Sequence, residues 1–413
     1  MKKPLFRILK WIGIALLALA GIFLTIQIWF YFTAPLYIFD RPGRFSGTQW
    51  YNPYAGMDST QWKKANFHFH TRKWMGLTSG RNNSNEELWR VYKMLGYDVP
   101  MISNYQQISR FNQDSSWYLG CYEHGYGFRK THQLLLGAQK VLWRDYSFSQ
   151  NLNHRQHIIN LLRKQNGLVV LAHPGWDNGY PPERIGLLSN YDLLEAINGN
   201  YRSLTQWDSV LSAGRPVFLL ADDDAHDIQD PGEIGVCMTF VNTPDIAAPR
   251  MTEALRAGRS YGMDVSRSET STWEKKTFYH THLMPSLKAV EIKNDTLRVR
   301  VSEKAMKIIF TGQGGVVKKE TSNKAEAWYA LQKEDTYIRT HIIFYTPKKW
   351  AGTEMFLNPV FRYSGRTPVN VLTSCVNEER TWIFRILTFG SIVLFGVVIV
   401  RLRQLRRKRD TES

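Results

Sequence analysis

The sequence predicts an α/β domain with a mostly parallel sheet, followed by a small antiparallel β-domain and flanked by two transmembrane helices. Three observations carry this reading. Short apolar runs alternate with helix-period segments from about residue 65 to 265. Between about 266 and 375 apolar and polar residues alternate singly, as in "LKAVEIKNDTLRVRVSE" and "TYIRTHIIFYT". A long apolar stretch lies near each end of the 413-residue chain.

The first stretch, Trp11–Phe32, has 22 residues without a charge, enough to cross a bilayer. Residues 1–10 precede it as a basic tail with four positive charges. A cleavable signal peptide is the competing reading, since Ala18-Leu19-Ala20 resembles a cleavage site. Apolar sequence continues for 12 residues beyond it, longer than such a signal needs, so an uncleaved anchor is expected. Residues 33–64, aromatic and containing Gly and Pro, read as a linker packed on the domain surface.

Within 65–265 the helices announce their ends. Ser84-x-x-Glu87 has capping-box spacing and Gly96 supplies a stop. Helical patterns over 151–166, 203–213 and 251–257 end at Gly167, Gly214 and Gly258. The β-domain, 266–375, carries a turn at "TGQGGVVKKE" and is expected to be sandwich-like. The second span, Trp382–Val400, has Arg385 near its outer end, where the long stem can snorkel. A basic tail, 401–413, follows. The positive-inside rule then places both termini in the cytoplasm and residues 33–381 in the periplasm, as a bacterial inner-membrane protein with the lipid bilayer as partner.

Net charge is +17, but each tail contributes +4, leaving +9 over 368 residues. That remainder holds no basic, aromatic-interleaved motif, so nucleic acid is not an expected partner; the tails suit anionic lipid. Cys121, Cys237 and Cys375 are odd in number and widely spaced, forming neither a zinc-finger spacing nor a disulfide framework.

Chemistry concentrates after the apolar runs. "ANFHFH" ends in His68 and His70, which alternate onto one face of a strand. "WYLGCYEHG" ends in Glu123 and His124, "GLVVLAHPG" in His173, and "RPVFLLADDDAHD" in three aspartates and His226. Metal-capable side chains at strand C-termini are where α/β folds build active sites. Asp222 and Asp223 read as loop carboxylates, and three adjacent acids repel unless a cation offsets them. His124, His154 and His157 read as supporting or surface residues. His280 and His282 lack carboxylate company and read as surface or linker histidines.

Taken in order, "HFH", "LAHPG" and "DDDAH" resemble the PHP (polymerase and histidinol phosphatase) superfamily, and within it the CehA/McbA-like metallohydrolases. The resemblance covers about 200 residues, from "FHFH" through "ALRAGRSYG", and "FLNPVFRYS" is similar to the family's tail. It implies a distorted (βα)7 PHP-type barrel with two or three metals at the strand C-termini. His68 and His70 match the opening pair, His173 the His-Pro ligand, and Asp224 and His226 the closing Asp-Ala-His. Glu123 matches the bridging glutamate, with Gln139 as competitor; choosing Glu123 brings in His132. The family's Thr-Asp-His step reads Ser103-Asn104-Tyr105 here, which implies a damaged third metal position.

The resemblance thus implies one metal on His68, His70, Glu123 and Asp224, and a second on Glu123, His132 and His173. Zn, Mn and Fe all suit such imidazole and carboxylate ligands. His226 is a further ligand candidate; if its metal is missing it becomes, with Asp224, a catalytic candidate that contacts substrate or moves a proton. Arg72 and Lys73 are candidate phosphate contacts or solvated loop charges. The expected activity is hydrolysis of a small phosphoester or envelope-derived substrate by a metal-activated water. The alternative, favoured by Asn104 and Tyr105, is a catalytically weakened domain that binds a ligand or envelope partner.

Overall fold

The computed structural model describes residues 2–40, 43–76, 80, 82–199, 201–265, 272–345, 351–364 and 374–412. The boundary expected at 265–266 borders residues outside this set.

Helices Lys2–Phe32 and Glu378–Glu412 bracket the fold. Each is long and apolar enough to cross a membrane, and the apolar side chains are almost all exposed. Leaving a large apolar side chain in water costs roughly 1.5–3 kcal/mol relative to burying it, so these surfaces call for an apolar surrounding. A clasp joins both helices to the globular part. Tyr37–Ile38 pairs antiparallel with Cys375–Val376, and Arg385 Nη2 donates to the Thr33 carbonyl at 2.9 Å. Thr381 Oγ1 accepts from the Leu36 N–H at 2.9 Å.

The α/β part is built from two mixed sheets. In the first, Trp62–Asn66 pairs parallel with Val99–Pro100 and antiparallel with Cys237–Asn242, which pairs antiparallel with Ser260–Asp264. The second contains Cys121–His124, Gln133–Leu136, Leu168–Leu171, Leu193–Asn198 and Phe218–Asp222. Its first three strands are antiparallel and its last three parallel. The expectation of a mostly parallel sheet is corrected here. Only residues 125–132 join the first two of these strands, too few for a parallel crossover. Isolated parallel bridges, Tyr105 with Glu123 and Phe69 with Ala225, tie the two sheets together.

The helices lie where the spacing predicts them: Asn85–Met94, Leu152–Arg163, Leu204–Ser212 and Ala248–Arg256. Ser84 caps the first by accepting the Glu87 N–H at 3.1 Å. Asn151 and His154 form a reciprocal box on the second.

The alternating segments are antiparallel strands, Leu287–Lys293, Thr296–Gly312, Val316–Ala330, Tyr337–Tyr345 and Ala351–Leu357. They do not form a sheet of their own: Ala351–Leu357 pairs with Ser260–Asp264, so they extend the first sheet. Asn358 seals the junction, accepting from Leu219 N–H and donating to the Gly258 and Ser260 carbonyls. The segment preceding the domain is likewise integrated. Gln49–Tyr51 is a strand paired with Val360–Tyr363, and Tyr54 is buried.

His280 is buried rather than at the surface. Its Nδ1 lies 2.7 Å from Lys64 Nζ, and burial pushes that ammonium down to about 7. His282 is exposed, as expected.

Candidate metal centre

The site lies where the two sheets are bridged. His68 and His70 follow strand Trp62–Asn66 and remain extended, so both imidazoles face inward. The chain around them is pinned by His70 N–H to the Ala225 carbonyl and Asp224 N–H to the His68 carbonyl, 2.9 and 2.8 Å. Glu123 belongs to strand Cys121–His124, and its N–H reaches the Ser103 and Asn104 carbonyls. His173 and Asp224 follow strands Leu168–Leu171 and Phe218–Asp222. Both hold left-handed backbone, φ 27° and 52°, which side-chain-bearing residues rarely adopt. Such strain persists where the surroundings over-determine it, as at ligand clamps.

The six side chains converge in two groups that share Glu123, all buried: His68, His70, Glu123 and Asp224, and Glu123, His132 and His173. In the first, Asp224 Oδ1 lies 3.1 Å from His68 Nε2 and 3.2 Å from His70 Nε2. Glu123 Oε2 lies 3.3 Å from both nitrogens. Bonds of about 2.0–2.1 Å to a tetrahedral ion put neighbouring ligand atoms about 3.3 Å apart, so the spacing fits a divalent metal. In the second, Glu123 Oε1 lies 2.5 Å from His132 Nδ1 and 3.1 Å from His173 Nε2. Gly125, at φ 134°, makes room for His132: a Cβ there would stand 2.5 Å from His132 Cδ2.

The donor chemistry points the same way. His68 Nδ1 lies 2.9 Å from Glu195 Oε1, which fixes the proton on Nδ1 and leaves Nε2 as a lone pair. That lone pair faces two carboxylates, an arrangement of acceptors that only a cation or a proton reconciles. Among the described residues, neither His68 Nε2 nor Glu123 Oε2 has a hydrogen-bond partner. Electrostatics records the same demand. Burial alone would lower His68, yet Asp224, Glu195 and Glu123 hold it well above its ordinary value. Burial would raise Glu123, but His132 and His68 hold it well below the usual carboxylate range.

Glu195, missing from the sequence reading, is central. Its Oε2 accepts the His173 N–H at 2.7 Å while Oε1 holds His68. Asn198 donates to Asp224 Oδ2 at 3.3 Å. Both sit on strand Leu193–Asn198, whose register shifts between Glu195 and Ile197. A bulge there resets the alternation, so two residues three apart face the site. A glutamate inside "LLEAIN" was the available signal.

The remaining candidates are sorted by position. His226 joins neither group; its Nε2 is 3.4 Å from Asp224 Oδ1, its ring stacks on His70 at 4.5 Å, and it is 19% exposed. Burial, then His70, pushes it down to about 4, leaving it neutral at physiological pH. Gln139 is exposed and its N–H bonds to Gln165, so Glu123 and not Gln139 is the residue shared by the two groups. Asn104 Oδ1 accepts the Thr71 N–H and its Nδ2 donates to Thr71 Oγ1, at 2.8 and 2.9 Å. Tyr105 stacks on His70 at 4.4 Å. Asn104 is therefore a clamp on Thr71 and Tyr105 a ring wall beside His70.

Asp222 and Asp223 are buried rather than loop carboxylates. Asp222 accepts the Phe67 N–H; Asp223 accepts three N–H groups, of Gly235, Val236 and Cys237, and the Tyr92 hydroxyl. His124 is buried on Gln133 and the Arg144 carbonyl. Arg72 is exposed and bonds Asn82. Lys130 instead approaches the site, lining a cavity of about 490 Å³ with His132 and Tyr105.

Comparison with known proteins adds little to this geometry. No family model and no curated protein matches the chain. Among solved structures the chain is weakly similar to a two-domain protein from Bacteroides vulgatus, described as containing a predicted PHP-like metal-dependent phosphoesterase. The two are 14% identical over 77% of this chain and 99% of that one, with a TM-score of 0.38.

Proposed function

We propose that this protein is a membrane-anchored, metal-dependent phosphoesterase whose globular part faces the periplasm. The observation that carries the reading is the pair of buried ligand groups sharing Glu123. Two bridged sheets with these residues at strand ends agree with a distorted (βα)7 barrel of the PHP type. In this reading His68, His70, Glu123 and Asp224 hold one divalent ion, and Glu123, His132 and His173 another. When bound, such ions supply Lewis acidity toward a phosphoryl oxygen and make water acidic enough to act as a nucleophile.

The chain's own residues do the rest. Glu195 fixes the His68 tautomer and Asn198 fixes Asp224, so the ligands are preorganised. Lys130 offers a cation to the substrate's phosphate. His226, partly exposed beside Asp224, carries a proton between water and the leaving alcohol. Water's oxygen bonds to phosphorus, the ester P–O bond breaks, and the alkoxide leaves as the alcohol after taking a proton.

Metal analysis of the purified chain tests this. The expected result is one to two equivalents of transition metal, lost in the His68→Ala/His70→Ala double variant. Less than one equivalent, unchanged by that variant, overturns it. With metal present, a phosphoester panel should show hydrolysis that Asp224→Asn abolishes; metal without hydrolysis of any member supports the ligand-binding alternative.

A further inference from the structure

The cavity beside the candidate metal centre is walled by Trp74, Tyr126 and Trp143 as well as Tyr105, and Lys130 and His132 also line it. Its outer wall is built directly against the first membrane-span helix. Ser147 N–H donates to Gln27 Oε1 at 3.0 Å, and Phe148 N–H to the Tyr31 hydroxyl at 3.0 Å. Arg144 Nη2 donates to Thr33 Oγ1 at 2.8 Å, with its guanidinium 4.6 Å over the Phe30 ring. Gln27 is buried by these contacts, whereas its helix is otherwise largely exposed.

Helix length sets the depth of this contact. The uncharged segment Trp11–Phe32 has 22 residues. At 1.5 Å per residue that is about 33 Å, close to a hydrocarbon core of about 30 Å. Gln27 to Phe32 form its last turns, so the contact lies at the outer end of the span, beside the membrane surface. Exposed aromatics gather at that level. Phe128 is 77% exposed, Trp143 58% and Phe148 43%. The Phe128 and Phe148 rings are 5.7 Å apart, and Phe128 N–H donates to the Ser147 carbonyl. Trp143 belongs to both features, lining the cavity one residue before Arg144, and its carbonyl accepts the Tyr126 hydroxyl at 2.7 Å. Aromatic side chains favour the membrane–water interface. Phenylalanine offers no hydrogen bond to a soluble sugar or nucleotide, so an exposed Phe pair at this depth suits lipid.

We propose that the cavity opens onto the membrane surface and receives a phosphoester lipid. The headgroup phosphate enters past Trp143 and Tyr126 toward Lys130, while the alkyl chains stay in the bilayer beside Phe128 and Phe148. This names the substrate class of the proposed phosphoesterase and rests on that reading for its chemistry. For a terminal phosphate, hydrolysis breaks the P–O bond to the lipid, giving the lipid alcohol and inorganic phosphate with one water consumed.

The test uses the full chain in phosphatidylcholine vesicles containing a diazirine-bearing phosphatidic acid. Photolabelling should map to Phe128, Trp143 or Phe148 and be suppressed by unlabelled phosphatidic acid, not by glycerol 3-phosphate. Labelling confined to the membrane helices, or unaffected by phosphatidic acid, overturns the lipid site. The Phe128→Ser/Phe148→Ser variant should lose about tenfold in hydrolysis of vesicle phosphatidic acid, as the loss of two interfacial apolar contacts implies, and stay within about twofold on glycerol 3-phosphate. Equal loss on both substrates, or cleavage of the soluble ester alone by the unaltered chain, also overturns it. A chain that is labelled as expected but cleaves neither ester retains the lipid site and refutes the phosphoesterase.

Discussion

Glu195 uses two oxygens for two tasks, holding the His68 ring and the His173 backbone. A carboxylate behind a metal-ligating histidine raises its basicity and fixes its tautomer. Glu195→Gln should therefore weaken metal binding about 10- to 100-fold with the fold intact, as read by competition with a chromophoric chelator. Gly125 makes a sharper test, because it bears on one ligand group only. A methyl at φ 134° would collide with His132, which belongs to the second group and not the first. Gly125→Ala should lower metal content toward one equivalent, measured by elemental analysis, and leave the His68–His70 group loaded. Five ligand candidates, His68, His70, Glu123, His173 and Asp224, were readable because strand alternation and strand-end position constrain them; His132, which precedes its strand, came only with the resemblance. Glu195 and Asn198 were not, because a register shift inside their strand breaks the alternation.

The helix Leu152–Arg163 packs two histidines against the wall that meets the first apolar helix. His154 stacks on Tyr146 at 4.3 Å, and His157 Nδ1 receives the Tyr146 hydroxyl at 2.6 Å. Burial pushes His154 down to about 4 and His157 to about 3, with Arg155 and Arg144 nearby adding to the fall. In the unfolded chain both titrate near 6.5, so as pH drops below that value the unfolded state takes up protons that the fold refuses. Stability from this source is full above about pH 7 and declines between about 6.5 and 4. Each histidine should cost about 2 kcal/mol between pH 7 and 5. Thermal unfolding of the detergent-solubilised chain should show the midpoint falling over this range, and His157→Gln should shrink that fall by about half. Element positions were legible from caps and glycine stops. Pairing directions were less so, because the antiparallel turn of Cys121–Leu136 depends on an eight-residue connection rather than on composition.

At the scale of the molecule, the clasp at Tyr37–Ile38 and Cys375–Val376 makes both apolar helices leave the globular part together. With basic residues at both far ends, this agrees with two spans and a common side for the termini. A reporter fused after Ser413 should behave as cytoplasmic and one inserted near Gly314 as exported; the reverse pattern overturns the orientation. Gly314 is exposed, in a turn with φ 71°, and its N–H donates to Ser212 Oγ at 2.8 Å.

The sequence by itself determined the two apolar spans, the helix boundaries, the alternating strands and five of the six metal-capable side chains. Each of these follows from periodicity, capping or strand-end position within a short window. Only the tertiary structure decided that the β-strands extend the first sheet, that Glu195 and Asn198 hold His68, His173 and Asp224, and that the cavity wall seats on the first apolar helix. Those outcomes depend on contacts between residues far apart in the chain, such as Gln27 with Ser147 and His68 with Glu195, which no local pattern encodes.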